Sequence, residues 1–223
     1  MTVIIINPNR TEAMTDAMVA MARTTAPGIA FTGWTSHDGP PAIQGREDGL
    51  AATQPLLDLA DRAEASGASG IIIGCFDDTA LAEVRSRASC PVMGLGQAAF
   101  VHCALRGWRF SVVTTLPVSV PILEENVAAY GYGTLLGRVR ASGVPVLALE
   151  TSPQDASARI LDEARAAVDR DRVDAIVLGC AGMVHVTDTM RKHLPCAVID
   201  PVESAAGSMA WLARGGLERK AAL

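Results

Sequence analysis

The sequence predicts an α/β fold of two similar lobes related by pseudo-twofold symmetry. Each lobe is expected to hold a mostly parallel four-stranded sheet flanked by helices, with the functional site in the cleft between them. Two observations carry this expectation. Short apolar runs rich in Val and Ile alternate with longer Ala-rich amphipathic stretches, which is the pattern of buried parallel strands separated by helices. The two halves also align. Ile71-Ile72-Ile73-Gly74-Cys75 matches Ile176-Val177-Leu178-Gly179-Cys180 at an offset of 105 residues, Val92-Met93-Gly94 matches Val198-Ile199-Asp200 at 106, and Ile5-Ile6-Asn7-Pro8 matches Val112-Val113-Thr114-Thr115 at 107.

The elements follow in order. Strands are expected near Val3 to Asn7, Ile29 to Thr35, Gly70 to Cys75 and Val92 to Leu95, separated by helices near Glu12 to Thr25, Asp48 to Ser66 and Thr79 to Ala88. The second half repeats the plan, with strands near Phe110 to Thr114, Arg138 to Ser142, Ala175 to Gly179 and Ala197 to Ile199. Its helices fall near Val120 to Tyr130, Gln154 to Asp169 and Val186 to His193. The lobe boundary is placed near Gly96. Residues 1–95 plus 202–223 then form an N-terminal lobe and residues 96–201 a C-terminal lobe, a last helix near Val202 to Leu212 packing back on the first. The Pro- and Gly-rich stretches Asp38 to Gln44 and Leu116 to Pro121 read as loops at the cleft.

Composition excludes several classes of function. Hydrophobic residues make up 49% of the chain and charged residues 19%, which suits a packed core and not a disordered segment. The longest apolar runs fall well short of the ~20 residues that cross a bilayer, and the N-terminus does not resemble a signal peptide, so a cytoplasmic protein without membrane contact is expected. A net charge of −5, with Lys and Arg scattered, gives no footprint for nucleic acid. The five cysteines show no paired metal-ligand spacing, and no metal or disulfide framework is indicated. Gly131, Gly133 and Gly137 precede a strand instead of following one, which removes the context of a dinucleotide site.

Chemistry is carried by Cys75 and Cys180. One cysteine at a strand end is ordinarily a small buried hydrophobe, but two at equivalent places of a repeat, each after Gly, are not explained as independent packing choices. Cys90, Cys103 and Cys196 lack that symmetry and read as packing residues. Backbone N–H groups and a helix terminus can lower a thiol pKa toward neutrality, so one thiolate and one thiol are expected. Asp77 and Asp78 should oppose ionisation of Cys75. Such a pair suits removal of a proton from one face of an sp³ carbon and return to the other, with no metal or cofactor. A carbanion or enolate needs oxyanion donors, for which Asn7, Asn9, Thr114 and Thr115 at the strand ends are candidates. The four histidines are dispersed. His37, His102, His185 and His193 read as surface or packing residues, His185 alone being near enough in sequence to tune Cys180.

These motifs resemble the Asp/Glu/hydantoin racemase superfamily, most closely its hydantoin and allantoin racemase branch. The resemblance spans nearly the whole chain. It rests on Ile6-Asn7-Pro8-Asn9 with Thr11 to Met14, Gly39-Pro40 with Ile43, Gly74 to Asp78, Phe110 to Thr115, Val120 to Glu124, and Gly179 to Met183. It implies a two-lobed α/β fold, cofactor-independent two-base catalysis by Cys75 and Cys180, a small-molecule substrate and homo-oligomeric assembly. It further implies that a substrate ring contacts Asn9, Ile43, Phe76, Thr114, Thr115, the backbone of Ala181 and Gly182 after Cys180, and Pro201. Phe76 and Ile43 suit apolar walls and a core role equally well.

Two residues depart from that pattern. Arg10 stands where the branch usually carries a small hydroxyl residue, and Gln44 replaces a commonly acidic position. Arg10 is read as solvated on its loop. Its other role, pairing with a substrate carboxylate in the cleft, would favour a second reading, an acidic amino-acid racemase or a related small-carboxylate isomerase or decarboxylase. A non-catalytic small-molecule binding protein is the third reading. Inversion at C5 of a 5-substituted hydantoin or of allantoin comes first.

Overall fold

The computed structural model describes residues 1–214; the expected tail of the first lobe beyond them lies outside the described residues. The first half runs β1 (Thr2–Asn7), α1 (Glu12–Thr25), β2 (Ala30–Thr35), α2 (Arg46–Ala65), β3 (Gly70–Ile73), α3 (Leu81–Arg87), β4 (Val92–Gly94) and α4 (Leu95–Arg106). The second runs β5 (Phe110–Thr114), α5 (Val120–Ala129), β6 (Leu136–Ala141), α6 (Ala148–Thr151), α7 (Pro153–Asp171), β7 (Ala175–Leu178), α8 (Thr187–His193), β8 (Ala197–Ile199) and α9 (Pro201–Arg214). Two four-stranded sheets result, in the orders β2-β1-β3-β4 and β6-β5-β7-β8. Every strand pair is parallel. The repeat read from the sequence is thus a repeat of topology.

The strands are apolar on both faces because both faces are covered. Outward-facing Ile4, Ile6, Ile71 and Ile73 pack with Leu56, Ala60 and Val84. Ile176 and Leu178 pack with Ile160, Ala164 and Met190. The remaining faces meet in one shared core, where Val3, Ile5 and Ile72 of the first sheet join Val112, Val177 and Ile199 of the second. Phe100 of α4 is central there, edge-on to Phe76 and stacked on Phe110 at 5.6 and 5.5 Å between ring centroids. Such pairs add about 0.5–1.5 kcal/mol beyond area burial.

Two helices differ from the expectation by existing at all. Local signals end a strand at Leu95 and mark a boundary at Gly96, yet Leu95 opens α4, which packs against both α9 and α5. Its Leu95, Ala98, Ala99, Phe100 and Cys103 are buried, but its outer positions include the apolar Val101, Ala104 and Leu105, so its amphipathic period is blurred. The helix α6 is a single turn. At the other end of the chain, α9 packs on α1, α4 and β3. Helix α3 begins at Leu81, not Thr79, because Asp78 and Ala80 both take positive φ, 52° and 50°.

An ion-pair network fastens β6 to α7. Arg140 reaches Asp171 at 2.6 Å and Glu163 at 2.9 Å, and Ser111 on β5 also donates to Asp171. The Arg140 and Asp171 side chains are only 10% and 6% exposed. Removing one partner strands the other. Arg140→Met is therefore expected to lower the unfolding free energy by about 3 kcal/mol near neutral pH, read by urea denaturation. The Arg140 hydrogen bonds hold the Asp171 carboxyl below its ordinary range. That stabilisation is present above the unfolded-state value and lost as pH falls through the folded one, so variant and wild type should converge in acid.

Candidate active site

The repeated Gly–Cys pairs end β3 and β7 in the same way. The Gly74 N–H donates to the Ile6 carbonyl and the Gly179 N–H to the Val113 carbonyl, each at 2.8 Å. A Cβ on Gly74 would lie 3.1 Å from the Ile6 carbonyl oxygen, and one on Gly179 would lie 3.0 Å from the Thr114 backbone. Glycine lets each chain pass this close to the neighbouring strand. The following cysteine then emerges beyond the sheet, half-buried rather than sealed beneath it.

Both cysteines line one small cavity. Asn9, Met14 and Ile43, the segment Gly74 to Asp77, Thr114, Thr115 and Ser119, Val146, and Gly179 to Gly182 complete its wall. The loops read as cleft loops supply Ile43 and Ser119. A volume of about 30 Å³ is far below the ~300–1,000 Å³ of small-molecule sites, so the walls must part to admit a ring.

Each thiol has its own partners. Cys180 is extended, with φ −158° and ψ 141°, at the head of a 3-10 turn over Ala181–His185. The Gly182 and Met183 N–H groups point at its sulfur. Cys75 receives the Thr79 hydroxyl and the Asp77 N–H; the left-handed residues on either side of Thr79 bring that hydroxyl back toward the sulfur. Asp78 anchors this loop. Its carboxylate accepts from the Gly96 and Gln97 N–H groups at the start of α4, at 2.9 and 2.7 Å, and from the Tyr130 hydroxyl at 2.9 Å.

The expected lowering of the thiol pKa is corrected by burial. Desolvation pushes Cys75 well above its ordinary value, with the Asp77 charge adding to it. Desolvation likewise pushes Cys180 up to about 12, and Asp77 and Glu150 add to it against the backbone N–H groups. In a water-poor site the penalty on a charged sulfur outweighs two or three donors. Asp77 acts on both sulfurs, not on Cys75 alone.

Asn9 is held by its neighbours. Its Oδ1 accepts from the Asn7 side chain and the Thr11 N–H, at 3.1 and 2.9 Å. Among the described residues its Nδ2 has only the Met14 sulfur, at 3.8 Å, which leaves it able to donate into the cavity. Asn7 is fully buried, bonded to Asn9, Thr11 and Thr15; it positions Asn9 and does not line the cavity. Thr114 gives its hydroxyl to the Gly179 carbonyl at 2.9 Å, joining the strand end to the Cys180 turn. Phe76 serves as wall and core together.

Three residues weighed from the sequence lie outside the cavity lining. Arg10 is exposed, its backbone N–H on the Pro40 carbonyl. Pro201 is buried at the start of α9, outside the cavity lining. His185 faces Glu150 at 3.6 Å instead of the Cys180 thiol. Gln44 bridges the lobes, its side-chain oxygen accepting from the Val146 N–H at 2.9 Å. Met14, Thr79, Ser119 and Val146 were not singled out from the sequence as cavity or thiol partners, and Asp77 was singled out only as opposing Cys75. Only Thr79, four residues after Cys75, lay within reach of a local signal.

Two lobes of the same parallel topology thus close on a cavity that presents a cysteine from each. Residues 3–209 match the Asp/Glu/hydantoin racemase family, and the chain belongs to it; the protein is an isomerase of the racemase class. It is 39% identical to a hydantoin racemase of Rhizobium meliloti over 90% of this chain and 84% of that protein. It is 31% identical to a hydantoin racemase of Pseudomonas sp. strain NS671, over 89% and 80%. Among solved structures, an allantoin racemase from Klebsiella pneumoniae superposes with a TM-score of 0.92 at 32% identity, covering 98% of this chain and 89% of that one.

All five cysteines are raised by burial. Thiolate absorbance near 240 nm should therefore be absent from the unliganded protein below about pH 8. A titration step of one thiolate between about pH 6 and 8 would contradict this account of the site.

Proposed function

We propose that this protein inverts the C5 stereocentre of 5-substituted hydantoins or of allantoin by a two-base proton transfer between Cys75 and Cys180. The observation that carries the reading is the shared cavity that both sulfurs line. With substrate bound, one sulfur, as thiolate, takes the C5 proton while the thiol opposite gives its own to the other face; the roles reverse with substrate handedness. The C5–H bond breaks, an S–H bond forms, and the electron pair enters the adjacent carbonyl as an enolate. Asn9 Nδ2 is suited to donate to a ring oxygen, and Phe76, Ile43, Met14 and Val146 to enclose the ring. Thr115 and the backbone of Ala181 and Gly182 belong to the same wall.

The lining favours an uncharged ring over a free carboxylate. Among the described residues the cavity wall includes no Lys or Arg, and Arg10 stands outside it. A carboxylate buried without a cation or several donors is costly, whereas hydantoin carbonyls need neutral donors. Homo-oligomeric assembly remains part of the proposal on the family resemblance.

The experiment is single-enantiomer turnover in deuterated water, followed by polarimetry and mass spectrometry on a panel of allantoin, alkyl and aryl hydantoins, and acidic amino acids. Deuterium entry at C5 is expected to accompany loss of optical rotation. Cys75→Ser and Cys180→Ser should each lower racemisation by about 10³-fold or more. Full activity in both variants would remove the two-base mechanism, and rotation persisting with every hydantoin and with allantoin would remove the substrate assignment.

A further inference from the structure

Asp77 is a buried acid without an assigned place in the chemistry. It is 8% exposed, and its Oδ2 is buried with no hydrogen-bond partner among the described residues. It lines the cavity of the two cysteines and also forms a wall of a second, outer cavity of about 230 Å³, shared with Arg46, Thr53, Glu83 and Asn126. Asn126 takes up its backbone carbonyl at 2.8 Å, fixing the main chain and leaving the carboxyl without that donor.

The surroundings give a negative charge nothing to hold it. On its own loop Asp77 faces Cys75 and the Asp78 carboxyl, and from the second lobe Cys180. Across the outer cavity stand Glu83 of α3 and Arg46 of α2, the guanidinium of Arg46 being paired with Glu125 of α5 at 2.7 Å. Asp77 has no ion pair among the described residues. As a carboxylate it would also oppose ionisation of both sulfurs. As a carboxylic acid it removes that opposition and turns its unpartnered oxygen into a donor.

We propose that Asp77 works as a neutral carboxylic acid, donating its O–H to the substrate carbonyl oxygen on which enolate charge develops. This rests on the hydantoin racemase reading above. The acid keeps its proton throughout: the C5 proton passes to one sulfur, the proton returned to C5 comes from the other, and Asp77 contributes a hydrogen bond that strengthens as the oxygen becomes anionic. The outer cavity gives it a side from which its proton equilibrates with solvent. Desolvation, which raises its pKa to about 7, agrees with the same reading.

The test compares kcat/KM against pH for wild type, Asp77→Asn and Asp77→Ala, using a hydantoin the wild type racemises. Carboxyl-¹³C aspartate NMR of the wild-type protein, assigned through the backbone, accompanies it. Wild-type activity should fall as pH rises through the ionisation of Asp77, since the active form is the protonated one. Asp77→Asn keeps a donor but cannot ionise, so it should lose that alkaline fall and stay within about tenfold of wild type. Asp77→Ala should be about a hundredfold slower. The Asp77 carboxyl should be protonated below about pH 6. Asn as slow as Ala beside an active wild type, or a carboxyl ionised at that pH, overturns the role of Asp77 alone. A wild type inactive on every hydantoin and on allantoin overturns the functional reading and this proposal with it. The NMR measurement needs no variant and decides the protonation even if a substitution prevents folding.

Discussion

The site depends on keeping two sulfurs in one small, water-poor enclosure. Withdrawal from water raises the energy of any charge placed there, so both thiols and the neighbouring Asp77 are driven toward neutral forms. The same withdrawal strengthens every dipole aimed at a charge that appears during a reaction. An unliganded enclosure that disfavours thiolate at rest and a liganded one that stabilises a transient anion are two faces of one dielectric effect. The Gly–Cys strand ends make it available, because glycine alone fits so close to the adjacent strand while the next residue reaches past the sheet.

The duplicated plan places the two sulfurs, and unlike loops make them different. After β7 the chain enters a 3-10 turn and offers successive N–H groups to Cys180. After β3 it passes through two left-handed residues, conformations that cost of order 1–3 kcal/mol each for side chains other than Gly. That strain is held by the Asp78 carboxylate on the first N–H groups of α4 and by the Tyr130 hydroxyl. The result is a hydroxyl from Thr79 on Cys75 where Cys180 has backbone. Two-base inversion needs equivalent positions for the bases, not equivalent surroundings.

Contacts between the lobes tie the enclosure to the fold. Met14 of α1 lies over Gly182, where an added Cβ would come within 3.6 Å of its methyl group, and Gln44 of the first lobe accepts from Val146 of the second. Phe76 joins the wall to the shared core through Phe100 and Phe110. A substrate larger than the present cavity must therefore shift loops that carry Ile43 and Val146, since the strand ends behind Cys75 and Cys180 are fixed by their sheets.

Much of the architecture was legible because it follows from periodicity. Buried parallel strands write themselves as Val and Ile runs, and a repeat of those runs with Gly–Cys at matching ends marks two equivalent positions. Helix α4 escaped because apolar Val101, Ala104 and Leu105 occupy its outer side and blur an amphipathic period, and the start of α3 was misplaced because no local rule announces positive φ at Asp78 and Ala80. The sequence by itself determined the strand order's repeating character, the paired cysteines and the family. Tertiary structure decided which groups meet: Asp77 set against both sulfurs, Met14, Ser119 and Val146 in the wall, Asn7 behind Asn9, and Arg10 outside. Those outcomes depend on distances between segments far apart in the chain and on water excluded by their packing, and neither quantity is carried by any short stretch of residues.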